Sequence, residues 1–115
     1  MSTIVDHDAI DRLRGFGGPK LVRGMIEVFV SNAHLKAADA REALECGDSA
    51  ALRAALHGLK SSAGQLGAQS VYQACIAGEE LASRGELTPC APYLARIEED
   101  LPRVNRELQA IQLES

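Results

Sequence analysis

His57-Gly58-Leu59-Lys60-Ser61-Ser62-Ala63-Gly64-Gln65-Leu66-Gly67-Ala68 is the stretch whose reading settles how this chain is organised. Placed on a helix of about 100° per residue, Leu52, Leu56, Leu59, Ala63 and Leu66 fall near one azimuth. Their spacing of four, three, four and three makes a packing stripe for neighbouring helices. His57 lies on nearly the opposite side. Gly64, two turns later, comes within about 20° of it and Ser61 within about 40°. Lys60 stands about 60° to the other side one turn along, and Arg53 one turn before. An exposed imidazole with a cation beside it and missing side chains around it suits a group that must enter another protein's active site.

The bulk numbers agree with a helical chain. At 115 residues the size predicts one domain with a single core. Hydrophobic residues make up 46% but aromatics only 3%, with no Trp, so the core must be aliphatic. Ala and Leu dominate it, as in packed helices. The net charge of −4 and the lack of a basic run argue against nucleic acid as a partner. No stretch approaches the roughly 20 apolar residues of a membrane span, and the N-terminus lacks a secretory pattern. Cys46, Cys75 and Cys90 lack metal-type spacing and read as reduced thiols of a cytoplasmic protein, all three buried as small hydrophobes.

Working outward from the motif, Asp48 or Ser49 caps its helix, expected over 49–66 with Gly67 as the stop. Upstream, Asp6 or Asp8 caps a short helix over 7–14 that ends in Gly15-Phe16-Gly17-Gly18. Pro19 opens a long helix over 19–46, apolar through Leu21, Val22, Met25, Ile26, Val28, Phe29, Ala33, Ala37, Ala40 and Leu44, with Gly47 as its stop. Downstream, Gln69 or Ser70 opens a helix over 69–84, and a last one covers 89–112 with Pro102 inside it, where a kink or break is expected. Short connections force sequential helices antiparallel. The expected fold is all-α: an up-and-down antiparallel four-helix bundle with a short additional N-terminal helix.

The motif resembles the signature of histidine-containing phosphotransfer (HPt) domains: His, any residue, an apolar residue, Lys, small residues, an apolar residue and Gly. His57, Leu59, Lys60, Ser62, Ala63, Leu66 and Gly67 match, and Ser61 stands where the family most often has Gly. The resemblance implies the same helical bundle and a phosphorelay intermediate. Such a protein takes a phosphoryl group on His57 and passes it between aspartates of receiver domains. It also implies receiver domains and a hybrid histidine kinase as partners. The receiver supplies Mg²⁺, and this chain carries no cofactor of its own. One departure concerns Gly78-Glu79-Glu80-Leu81, where the family commonly has an apolar residue before Glu. A glycine inside a helix costs about 1 kcal/mol relative to alanine. It either lets the motif helix approach closely or simply weakens the element.

The chemistry fits those roles. Neutral imidazole, with an ordinary pKa of about 6.5, is a competent nucleophile near neutral pH. His57 is the expected phosphoacceptor and donor through Nε2, and Lys60 offsets the phosphoryl charge. Gly64 keeps the surface low for docking. Ser61 or Gln65 hydrogen-bonds the imidazole or phosphate, and with Arg53 they complete the docking face. Taken alone, His57 would be an ordinary solvated histidine; the motif around it reverses that reading. His7, near a frayed terminus, and His34 lack any such setting. The Glu-x-x-His metal pattern of di-metal bundles fails at all three histidines, so no metal site is expected. The series Arg96, Glu98, Glu99, Asp100, Arg103, Arg106 and Glu107 reads as a solvated helix face. There is no phosphate-cradling loop or nucleotide signature, so the chain is not expected to be an enzyme. Two alternatives share the residues: a docking module without phosphotransfer, and a kinase substrate domain phosphorylated by a separate ATP-binding domain. The short chain and its initial Met favour a free-standing shuttle over an excised domain of a larger hybrid kinase, and a closed bundle with short loops is expected to be a monomer.

Overall fold

Local sequence signals set the helix ends. In the computed structural model, which describes residues 3–114, helix α1 spans His7–Cys46 and α2 spans Ser49–Gln65. Helix α3 spans Gln69–Ser83, a 3₁₀ turn covers Thr88–Cys90, and α4 runs Ala91–Glu114. Asp6 caps α1 by accepting from the Asp8 amide at 3.0 Å, and Asp48 caps α2 by accepting from the Ala51 amide at 3.0 Å. Gly47 ends α1 in the left-handed region at φ 72°. No strand occurs among the described residues.

One expectation about breaks needs correcting, and of the kink or break expected at Pro102 the break does not occur. The run Gly15–Gly17 does not end the first helix; it stays helical, and only Gly18 leaves the helical region, at φ 76° and ψ −178°. Pro19 is the physical cause. Its ring disfavours a helical conformation for the residue before it, and only glycine takes the positive φ found there. The chain therefore kinks once, and helix resumes with Pro19 in its first turn. Pro102 does not break α4, which is continuous across it. Pro102 and Glu98, whose carbonyl loses its donor, are both exposed, so water can satisfy the orphaned oxygen.

The core is aliphatic, as the composition requires. Val22, Ile26, Phe29, Ala33, Ala37 and Ala40 of α1 are buried. They meet Leu52, Leu56, Leu59, Ala63 and Leu66 of the motif stripe and Leu94, Ile97, Leu101, Val104, Leu108 and Ile111 of α4. Each large aliphatic side chain hidden this way contributes about 1.5–3 kcal/mol. Each of α2 and α3 packs on its neighbours in sequence, and α4 closes back on α1. Among the described residues no helix is long and apolar enough to cross a membrane.

Polar ties fix the periphery. The segment before α1 is pinned rather than frayed: the Asp6 amide donates to the Gly67 carbonyl at 2.8 Å. The Ile4 amide donates to Glu107 at 3.1 Å, and His7 Nε2 meets the same carboxylate at 2.9 Å. The charged series on α4 is likewise more than a solvated face. Glu98 pairs with Arg41 of α1, and Asp100 accepts from the Ser70 hydroxyl. Of the cysteines, Cys75 and Cys90 are buried, but Cys46 is exposed. It lies two residues past the half-buried Leu44, roughly 200° round the helix, and so faces outward.

Candidate functional site

The motif helix presents its histidine as its phase demands. Leu52, Leu56, Leu59, Ala63 and Leu66 are all buried to within 2% exposure, so the opposite azimuth points to solvent, and the His57 side chain is 63% exposed. One polar group reaches the ring from a neighbouring helix. Glu79 of α3 places Oε1 2.8 Å from His57 Nδ1 and Oε2 2.7 Å from Lys60 Nζ. A single carboxylate thus spans the two residues of α2 that lie three apart on the same side.

Electrostatics decide which proton sits where. Burial pushes the Glu79 carboxyl upward, but hydrogen bonds and charge from Lys60 and His57 outweigh it, and its pKa lies below the usual 4.5. Glu79 is therefore ionised at neutral pH and accepts only. The ring nitrogen facing it must carry the proton, so the neutral ring keeps its lone pair on Nε2. This is the arrangement by which a buried carboxylate sets the tautomer of a catalytic histidine elsewhere. Beneath the site, burial first and Glu79 second push the Cys75 thiol up to about 12, which leaves it a neutral packing group.

The remaining expected residues fall around this centre. Lys60 is half-buried and engaged by Glu79 rather than free in solvent. Ser61 is exposed, but its hydroxyl donates weakly to the His57 carbonyl at 3.4 Å. Nδ1 of the ring meets Glu79, so of the two roles expected for Ser61 or Gln65 the phosphate contact is the one carried forward. Arg53 lines a shallow depression with Ala50, Ala54, His57 and Glu79. Gly64 is exposed, and a Cβ there would come 3.0 Å from the Tyr72 ring. The missing side chain is therefore what seats Tyr72, beside a second depression lined by Lys60, Ser61, Gln65 and Gln69. On the α1 side, the Lys36 stem lies over Gly58, and Leu35 is exposed next to a groove bounded by Ser62 and Gln65; Val28, expected on the packing side, is exposed there too, about 160° round the helix from the buried Ile26.

Glu79 was missing from the expected site. Its signal lay in the distance to the tight turn: it follows Gly67 by twelve residues and His57 precedes it by ten, so the two reach similar heights along the helix pair. Gly78, one residue before Glu79, lies where α3 meets α2. It is buried, and a Cβ on it would stand 2.9 Å from Leu56 Cδ1, which supports the reading of close approach.

Residues 24–112 match the family model described as the Hpt domain. The chain belongs to the Hpt family. It is thereby a histidine phosphotransfer module of two-component signalling, a class of phosphocarriers rather than catalytic enzymes. The fold is similar to that of the histidine-containing phosphotransfer protein B (HptB) from Pseudomonas aeruginosa PAO1. The TM-score is 0.90 at 22% identity, covering 100% of this chain and 99% of that one. No curated protein matches the chain. The family model begins at residue 24, so the pinned N-terminal segment and the kink at Gly18 lie outside the matched region.

Proposed function

We propose that this Hpt domain is a phosphorelay intermediate that carries a phosphoryl group on Nε2 of His57 between aspartates of receiver domains. The observation that carries the reading is the bond from His57 Nδ1 to Glu79, which leaves Nε2 of an exposed ring as the nucleophile. Nε2 attacks the phosphorus of the receiver's aspartyl phosphate in line. The N–P bond forms as the bond to the aspartyl oxygen breaks, and the carboxylate departs with its electron pair. The ring becomes cationic as it attacks, and the Glu79 carboxylate stabilises that charge across the Nδ1 proton. Reversal of the same step loads a second receiver.

Lys60 has two tasks. It holds Glu79 in place, and it offsets the charge of the transferred group once the docked partner excludes water. The Mg²⁺ that neutralises phosphoryl charge in such transfers belongs to the receiver. No three metal-ligating side chains gather among the described residues here. Arg53, Ser61, Gly64 and Gln65 surround the ring as a low docking face. The exposed Val28 and Leu35 of α1 extend it with apolar surface for the receiver. The chain acts as one domain in the cytoplasm, as a monomeric up-and-down antiparallel bundle, with a hybrid histidine kinase upstream. The test is label transfer from a radiophosphorylated receiver. The wild-type chain takes the label, and His57→Gln, folded by circular dichroism, takes none. Label retained by His57→Gln contradicts the reading.

A further inference from the structure

Leu56 and Gly78 each sit one residue before a member of the His57–Glu79 pair, and they touch. Leu56 is 2% exposed, and its Cδ1 fills the space where a Cβ of Gly78 would lie, at 2.9 Å. Real Cβ atoms do not come that close, so a side chain at 78 displaces either the Leu56 methyl, itself enclosed in the core, or the α3 backbone. The far side of α3 is in contact as well. The Cys90 thiol donates to the Gly78 carbonyl at 3.4 Å, and Tyr93 Cβ would stand 3.9 Å from the added atom. The α3 backbone at this level is held between Leu56 on one side and the 3₁₀ turn with the start of α4 on the other. A close-packed interior answers an added methyl with off-rotamer side chains and backbone shifts, and a backbone shift here moves α3 away from α2.

The separation of α2 and α3 here is the distance that the site bonds must span. His57 Nδ1 to Glu79 and Lys60 to Glu79 both cross it, at 2.8 and 2.7 Å. Hydrogen bonds of this kind weaken steeply once stretched beyond about 3.2 Å. We infer that Gly78 is a positioning residue: by receiving Leu56 in place of a side chain, it sets the helix spacing at which Glu79 fixes the His57 tautomer. A helix would be stronger with alanine there. The glycine is explained by the neighbour it admits. The effect on transfer rests on His57 being the phosphoacceptor; the effect on the ring does not.

The test reads the ring directly. Nitrogen-15 spectra of His57 are recorded in the fully neutral form for the wild-type chain, Gly78→Ala, Leu56→Val, and the two together. The wild-type ring shows a hydrogen-bonded Nδ1 proton. Gly78→Ala is expected to lose that signature and to lower the rate of transfer by about tenfold. Adding Leu56→Val removes the obstructing methyl and is expected to restore both. Should Gly78→Ala alone fail to fold, the comparison moves to the Leu56→Val background. There alanine at 78 is expected to keep the signature and Gly78→Leu to lose it. A folded Gly78→Ala chain with the wild-type ring signature, however lowered its melting temperature, overturns the inference, as does a double variant that does not recover. Failure of the wild-type chain to take any label would instead sink the phosphocarrier reading and leave the ring result standing.

Discussion

Replacing Gly67 with alanine should cost far more than the same change at Gly85, although both glycines hold nearly the same backbone angle. Gly67 has φ 74° and Gly85 has φ 73°. An L side chain in that region costs about 1–2 kcal/mol at either place. The surroundings differ. A Cβ at Gly85 meets nothing within 4 Å, whereas one at Gly67 would lie 2.5 Å from the Asp6 carbonyl oxygen and 3.0 Å from Ala9 Cβ. The N-terminal segment must then lift off. That movement breaks the 2.8 Å hydrogen bond from the Asp6 amide to the Gly67 carbonyl, for about 0.5–1.5 kcal/mol, and uncovers part of the buried Val5. The expected loss is about 2–4 kcal/mol for Gly67→Ala against about 1–2 for Gly85→Ala. Urea unfolding of both variants measures it, with the Asp6 amide followed by hydrogen exchange. Equal losses, or an Asp6 amide as protected as in the wild type, would refute the packing argument. The glycine that closes the motif is then a structural requirement, made by the segment that crosses over it.

Three further outcomes follow from the site. Glu79 has a lowered pKa, so its bonds stabilise the fold above the unfolded carboxyl value and fade as pH falls through the folded one. Between about pH 5 and 3 the wild-type stability should drop more steeply than that of Glu79→Gln, and parallel urea midpoints across that range would contradict the ion-pair account. Lys60→Ala removes the 2.7 Å partner of Glu79 and should slow transfer by about tenfold while leaving His57 able to accept; an unchanged rate discards its role. Gly64→Ala should be nearly neutral in stability, because the helix gain of about 1 kcal/mol offsets the crowding of Tyr72, yet transfer should slow as the ring is pushed outward. A clear loss of stability with normal transfer would reverse that assignment.

Much of the helical layout was legible because local chemistry sets it. Asp6 and Asp48 cap as their side chains predict, and the stripe of Leu52, Leu56, Leu59, Ala63 and Leu66 alone fixes the azimuth of His57. What escaped depends on contacts distant in sequence. Gly15 and Gly17 look like breakers, but the arm they belong to is held by Ile10 in the core and by the pinned segment before it, so helix persists to the residue before Pro19. Cys46 was expected inside by residue type, and its azimuth puts it outside. His7 looked frayed because its partner Glu107 is 100 positions away. The site followed the same division. His57, Lys60 and Gly64 were visible as one helix face, whereas Glu79 is an ordinary acidic residue until α3 is laid against α2 at the spacing that Gly78 permits.

The most direct measurement is to find which ring nitrogen carries phosphorus. After loading from a phosphorylated receiver, phosphorus–nitrogen coupling in the nitrogen-15-labelled chain should appear at Nε2 of His57, with Nδ1 still protonated against Glu79. Phosphorus on Nδ1, or on any side chain other than His57, would contradict the account.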